Sequence, residues 1–325
     1  MQEVVSILLP VYKVENFIQR CAESVFEQTY ENLDIVFVDD CSPDNSVEII
    51  NQVLERFPQR KNQVRIIRHE RNRGLAAARN TAVDATIGKY LMHVDSDDYL
   101  DVTTVKRCVD KIEESNADAV IFGNNYVLPD KTISHIIKVP EDKNEYIKQL
   151  LLRTTRFNIW GAMYKTELYK KYDITAIEGI NNGEDFAVLP RLLYNAKKIV
   201  GLEMPLYNYV YFVNDNSYTN GFSINSAKYH TKILPLLREF FQQRNEPELV
   251  QSLDYGETMI KYKLLLKWAL KKNDRQYLKY INDNYRTFPY KYPLSKRIIL
   301  WLHDKPLLLK VYCRIGFWVK QKIKR

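Results

Sequence analysis

A chain of 325 residues with 46% hydrophobic composition is long enough for one large core plus an appendage, and too apolar to be disordered. Its net charge of +8 sits at one end: residues 291–325 hold ten Lys or Arg and one acid, Asp304, whereas the other 290 residues carry 38 bases against 39 acids. A basic body that would embrace nucleic acid is therefore absent, and nucleic acid is excluded as a partner. Four dispersed cysteines, Cys21, Cys41, Cys108 and Cys313, match neither metal-finger spacing nor a secreted disulfide framework, and read as reduced thiols. The chain enters a strand within four residues of its start and carries Glu3, which fits no signal or transit peptide. No apolar run reaches the roughly 18 residues of a membrane span, so a cytoplasmic location is expected.

In chain order, Val4 to Leu9 is a near-continuous aliphatic strand stopped by Pro10, and Glu15 to Phe26 then places Phe17, Ile18, Cys21 and Val25 at helical spacing. Leu33 to Val38 is a second buried strand ending at Asp39-Asp40, followed by a helix over Ser46 to Phe57. A short strand at Val64 to Ile67, a helix at Leu75 to Ala85, a strand at Tyr90 to Val94, a helix at Thr103 to Ser115 and a strand at Ala119 to Phe122 complete the series. Such alternation predicts an α/β fold with a parallel sheet covered on both faces, and ligands bind such sheets beyond the carboxyl ends of the strands. After Asn124 the pattern changes to a hairpin over Tyr126 to Val139 around Pro129-Asp130, then a helix from Lys143 to Arg153. Helices are expected at Lys165–Tyr172 and Glu184–Tyr194, with Pro190 tolerable only as a kink or in the first turn, and over most of 226–290.

The acids Asp95-Ser96-Asp97-Asp98 end the fourth strand, where clustered carboxylates suit a hard cation such as Mg2+ or Mn2+. Magnesium in particular is usually held by one or two carboxylates, with substrate phosphates and waters completing its shell, so a phosphorylated ligand is implied. An EF-hand loop starting at Asp95 fails, because its sixth position is Leu100 and its twelfth Lys106. Taken alone the tetrad reads as a solvated turn, and Asp39 as a helix cap. Pro10-Val11-Tyr12, Asp39 to Ser46 and the tetrad leave three strands at the same edge, where a nucleotide laid across them meets Asp39 at a base or ribose and Asp97 through a metal. Between them, Arg71-Asn72-Arg73-Gly74 turns into Leu75-Ala76-Ala77-Ala78-Arg79-Asn80; Gly74 suits positive φ, and Arg71 and Arg79 are candidates for diphosphate or carboxylate contacts. This turn is neither a Walker loop nor a GxGxxG turn.

The ordered set of strand-Pro10-Val11-Tyr12, Val38-Asp39-Asp40, Asn72-x-Gly74 with Ala78-Arg79-Asn80, and Asp95-Ser96-Asp97-Asp98 resembles the inverting nucleotide-sugar glycosyltransferases of family 2, with the GT-A fold. The resemblance extends through Asn181-Asn182-Gly183-Glu184-Asp185-Phe186, similar to that family's catalytic Glu-Asp segment. It implies a nucleotide-sugar site at Pro10, Val11, Tyr12, Glu15, Asp39, Asn72, Gly74, Arg79, Asp95 and Ser96, with Asp39 near the nucleobase and Asp95 toward ribose. It further implies Mn2+ or Mg2+ on Asp97 and Asp95, Asp185 or its neighbour Glu184 as general base, and a uridine diphosphate sugar as donor. A glycan or lipid-linked glycan is the implied acceptor. Two acids at a helix start also suit the macrodipole without any chemistry. Trp160, in a stretch the family places between donor and acceptor halves, either covers a sugar face or packs in the core. Downstream, Tyr207, Tyr209, Asn216 and Ser217 match the family's strand and loop after the base, whereas an arginine often found there is Val210.

Residues 1–225 are thus expected to form the catalytic domain, with a nucleotide-sugar half at 1–123 and an acceptor half at 124–225, and 226–325 a helical extension. In that extension Leu308, Val311, Tyr312, Ile315, Trp318 and Val319 recur at helical spacing after Pro306, with Lys310, Arg314, Gln321 and Lys322 mostly elsewhere. Such a basic amphipathic helix suits an anionic membrane surface through 306–325, on the cytoplasmic face; docking on the rest of the protein is the alternative. Two other functions compete: a nucleotidyltransferase, which would want a Gly/Lys-rich first loop that Pro10-Val11-Tyr12-Lys13 does not supply, and a noncatalytic sugar-nucleotide binder.

Overall fold

The first strand, β1 (Val5–Val11), is buried at all seven positions, as is β2 (Leu33–Asp39). That is the signature of strands covered on both faces, and each aliphatic side chain so buried contributes roughly 1.5–3 kcal/mol. The computed structural model describes residues 2–211, 224–271, 275–288 and 292–323, with side chains except at 224–226, 271 and 316–323. Two compact units form: Met1–Tyr146 with Phe157–Asn220, and Ile147–Arg156 with Gly221–Arg325.

In the first unit α1 (Ile18–Phe26) follows β1, and α2 (Ser46–Glu55) follows β2. Next come β3 (Val64–Arg68), α3 (Leu75–Asp84), β4 (Tyr90–His93), β5 (Tyr99–Leu100), α4 (Thr104–Ser115), β6 (Ala119–Val127) and β7 (Thr132–His135). After α5 (Lys143–Leu151) the chain forms β8 (Ala162–Lys165), α6 (Glu167–Lys170), α7 (Glu184–Asn195) and β9 (Ile199–Val210). The sheet runs β3-β2-β1-β4-β8-β6-β9-β5, with β7 paired to β6. β1, β2, β3 and β4 are mutually parallel, as are β6 and β9, so the sheet is mainly parallel and flanked by helices. Ile18, Cys21, Ala22, Val25 and Phe26 of α1 join Ile7, Leu9, Ile35 and Phe37 in one core.

Several sequence expectations are corrected. β1 does not stop at Pro10 but continues to Val11, paired with β2 throughout. Regular pairing with β4 has already ended at Leu8 and His93, so the missing proline N–H breaks no ladder, and the Pro10 carbonyl accepts a hydrogen bond from Ser96 Oγ at 2.6 Å. The first helix begins at Ile18 rather than Glu15, since residues 13–15 are tied to the loop after β2. The strand expected at Ala119–Phe122 runs on to Val127 and forms the first arm of the hairpin itself, with the turn at Pro129-Asp130 as predicted. It is not the neighbour of β4: β8, read from the sequence only as a connecting stretch, is inserted between them antiparallel to both. α6 is shorter than the helix expected at Lys165–Tyr172, and α7 runs through Pro190.

The second unit contains α8 (Ile224–Gln242), α9 (Pro247–Lys271), α10 (Arg275–Asn284), α11 (Leu294–Trp301) and α12 (Pro306–Ile323). Residues 147–156, expected in the catalytic domain, group with these helices. No described helix is long and apolar enough to cross a membrane.

Candidate active site

The site residues leave the carboxyl ends of β1, β2 and β4 and the start of α7. Asp39 ends β2 and is 1% exposed. One of its oxygens, Oδ1, accepts the Ser42 backbone N–H at 2.7 Å; the other has no hydrogen-bond donor among the described residues and faces Nε of the exposed Arg68 at 3.2 Å. A buried acceptor without a donor is costly, so this oxygen is available to a ligand. Across the loop, Ser42, Asp44 and Ser46 fasten the backbone of Lys13, Val14 and Glu15. The Glu15 carboxylate in turn receives the backbone N–H and side-chain amide of Asn45. Tyr12, just past the end of β1, is 37% exposed with Lys13 Nζ 5.3 Å from its ring centroid, beside the buried Pro10 and Val11.

Asp40, read from the sequence only as a strand end, organises the next turn. Its Oδ1 accepts from the Arg73 N–H at 2.8 Å and contacts His69 Nδ1 at 2.7 Å, and its Oδ2 accepts from the Gly74 N–H at 2.7 Å. His69 Nε2 continues to Thr81 Oγ1 at 2.9 Å. Gly74 has φ +88°, and a Cβ there would lie 2.4 Å from the Asn181 side chain, whose Oδ1 accepts from the Ala76 N–H. The positive φ thus demands glycine, and any Cβ there would displace the Asn181 amide. Asn72 and Arg71 are exposed at the rim of this turn.

Arg79 lies on the buried face of α3, 4% exposed, and gathers three acids. Its Nη2 donates to Asp95 Oδ1 at 2.9 Å and stands 3.7 Å from Asp185 Oδ1, while Nε is 3.5 Å from Glu184 Oε1. Asp185 also receives hydrogen bonds from the Ile159 backbone and the Asn158 side chain. Burial drives the Glu184 carboxyl upward, with repulsion from Asp185 adding to it and Arg79 opposing. Burial likewise raises Asp185, against the pull of Arg79. Asp185 Oδ1 and Arg79 Nε and Nη1 have no hydrogen-bond partner among the described residues. A cavity of about 10 Å³ beside them, lined in part by His93, Ile159 and Tyr169, is about the size of one water.

In the tetrad, Ser96 is committed to the Pro10 carbonyl, tying β1 to the tip of β4. Asp98 is committed as well: Tyr207 Oη donates to its Oδ2 at 2.8 Å and the Val210 N–H to its Oδ1 at 2.8 Å. Asp97 keeps an exposed edge, yet the crowded tip desolvates its carboxyl and Asp95 repels its charge, so its pKa is pushed up to about 6. Asp95 acts on Asp97 through its charge, and oxygen donors of this kind suit Mg2+ or Mn2+, whose shell one or two carboxylates and substrate phosphates share. Val210, where the family often has arginine, serves the tetrad through its backbone alone. Trp160 is core, 4% exposed and stacked on Tyr207 at 4.3 Å and Tyr209 at 5.4 Å, so it is not an open sugar platform. Asn216 and Ser217 lie outside the described residues.

A mainly parallel sheet flanked by helices, with acids at its strand ends, is the architecture of GT-A glycosyltransferases. The model of Glycosyl transferase family 2 matches residues 6–173, and the chain belongs to that family. It is 32% identical over 229 residues to the uncharacterized glycosyltransferase EpsJ of Bacillus subtilis (strain 168), covering 67% of this chain and 64% of that protein. To glycosyltransferase GlyA of Streptococcus pneumoniae serotype 4 it is 31% identical over 224 residues, 64% of this chain and 31% of GlyA. The chain thus spans less than two thirds of the length of either relative. In fold it is similar to S. aureus TarS 1–349 in complex with UDP-GlcNAc, with a TM-score of 0.77 at 20% identity over 97% of this chain and 92% of that one.

Proposed function

We propose that the protein transfers a sugar from a nucleotide diphosphate sugar, with uridine diphosphate as the nucleotide, to a hydroxyl of a glycan or lipid-linked glycan in cell-surface polysaccharide or glycolipid assembly. The transfer is a single displacement that inverts the anomeric carbon. The observation that carries this reading is the convergence of Asp95, from the tip of β4, and Glu184-Asp185, from the start of α7, on the buried Arg79. That arrangement ties the acidic end of the sheet to a carboxylate fit to take a proton.

Asp185 is the general base in this reading. Its Oδ1 lacks a hydrogen-bond donor, and its other contacts, from Asn158, Ile159 and Arg79, all favour the charged form against burial. Positioned bases of this kind contribute about 10²–10⁴ in rate. Asp39 offers the nucleobase its Oδ2, which faces the exposed Arg68 and has no hydrogen-bond donor among the described residues, and Tyr12 stands at the same sheet edge. Asp97 with Asp95 would hold the divalent cation, which when bound neutralises charge on the departing diphosphate. The likeness to TarS, solved with UDP-GlcNAc, supports a sugar nucleotide as donor without naming the sugar.

A screen of nucleotide sugars with Mn2+ or Mg2+, reading nucleoside diphosphate release, tests the activity. Asp185→Asn is expected to lower turnover by about 10²-fold or more while donor binding, measured by calorimetry, stays within a few-fold of the parent. Loss of donor binding instead would assign Asp185 to the donor site and remove it as base. Transfer or donor hydrolysis by the purified protein excludes a noncatalytic binder.

A further inference from the structure

The C-terminal helices expose an apolar row that the sequence pattern placed differently. α12 turns Leu309 and Cys313 inward and packs on α9, and Lys310 on its flank lays Nζ 4.7 Å from the Trp268 ring. Its opposite side carries Leu307, Leu308, Val311 and Ile315, between 56% and 78% exposed. At about 100° per residue these four share less than a third of the helix circumference. Tyr312, expected in the same stripe, is only partly exposed, and the side chains of Trp318 and Val319 lie outside those described. The helix is therefore apolar on two sides: one docks within its own unit and the other is bare.

The preceding helix also exposes apolar side chains. Across the short 3-10 turn at Leu302–Asp304, Trp301 of α11 is 64% exposed, with Lys305 Nζ 3.7 Å from its ring centroid, and Leu294 at the start of α11 is 70% exposed. Of thirteen large apolar side chains exposed among the described residues, six fall between 294 and 315. Elsewhere on the chain such residues occur singly or in neighbouring pairs, which calls for no explanation; a row of four on one side of a helix does. That row lies in the stretch 291–325, where ten Lys or Arg stand against one acid.

We propose that this face is a monotopic contact with a bilayer surface rich in anionic phospholipid. The apolar row enters the boundary between headgroups and acyl chains, Trp301 sits at headgroup level, and the Lys and Arg side chains reach the lipid phosphates. Charge selects this occupant over a second copy of the chain, since apposing two such faces would bring two strongly cationic segments together. The helix lies along the surface, because no described helix is long and apolar enough to cross it. The inference concerns this surface alone and stands whatever sugar or base the catalytic unit uses.

The test is sedimentation of the full chain with vesicles of phosphatidylcholine, alone or mixed equally with phosphatidylglycerol, beside size-exclusion chromatography. Binding to the mixed vesicles, weak binding to phosphatidylcholine and release by salt are expected. Leu308→Glu/Val311→Glu is expected to cut binding at least tenfold with unchanged circular dichroism, as both side chains are exposed. Leu307→Gln/Ile315→Gln gives the same reading should the added charges unsettle the helix. The proposal fails if the parent protein stays in solution with both vesicle types, if both variants bind as well as the parent, or if the substitutions abolish a self-association without vesicle binding.

Discussion

Arg79 is one cation facing three carboxylates, and the imbalance sets the chemistry of the site. With Glu184 and Asp185 both raised by burial, the pair holds onto a proton at a pH where a solvated aspartate, with its ordinary value of 3.8, has long lost one. A base works when deprotonated, so the rate should rise with pH through a limb lying above the ordinary carboxylate range. Glu184, whose carboxyl burial and Asp185 push up to about 8, still carries its proton where Asp185 loses one, so Glu184→Gln removes no charge from beside the base. The acidic limb of kcat/KM is therefore expected to stay within about half a pH unit of the parent, with the maximal rate largely kept. A pH profile of nucleoside diphosphate release checks this; a variant as inactive as Asp185→Asn would make Glu184 the base. At this scale the acids of the tetrad and of Glu184-Asp185 were legible because each stands where a strand or helix begins or ends. Asp40 and Asn181 were not, since what they organise lies elsewhere in the chain: Arg73 is 33 residues from Asp40, and Ala76 is 105 from Asn181.

Helices with a clear apolar spacing and buried aliphatic strands were read to within a few residues, and the shortest strands were not. α2, α3 and α4 follow from apolar spacing, whereas β8 has only four residues and β5 two, and both exist because other strands supply their hydrogen bonds. Pattern alone also cannot show which side of an apolar helix is covered, as α12 illustrates. Packing in the second unit has a sharper instance in α9, which lets Gly256 approach residues 147–156 so closely that an added Cβ would lie 1.9 Å from the Leu151 carbonyl oxygen. Both partners are backbone and neither can swing aside. Glycine in mid-helix ordinarily costs about 1 kcal/mol relative to alanine, so Gly256→Ala would stabilise a free helix. Here overpacking is expected to reverse the sign and cost about 1–3 kcal/mol, read as a lower midpoint in urea unfolding. An unchanged or higher midpoint would show that residues 147–156 are not held against α9.

For the molecule as a whole, the α/β class, the acidic edge of the sheet and the confinement of charge to the last 35 residues all follow from the sequence, because each is a property of long runs. The path of the chain between its two units does not. Residues 147–156 leave the first unit in mid-helix, join the second and return at Phe157, and no composition shift marks either crossing. Leu150 and Leu151 there are fully buried, and Lys148 pairs with Glu248 at 2.5 Å. A truncation after residue 225, the boundary that composition suggests, would therefore remove α9 from beneath a segment it leaves behind. Uncovering two leucines forfeits about 3–6 kcal/mol of burial, a large part of the marginal stability of an ordinary domain. The truncated chain is expected to melt at lower temperature than the full chain and to be cut first within 147–156 by limited proteolysis. Cooperative melting at the parent temperature, with that segment still protected, would mean that residues 147–156 owe their order to the first unit.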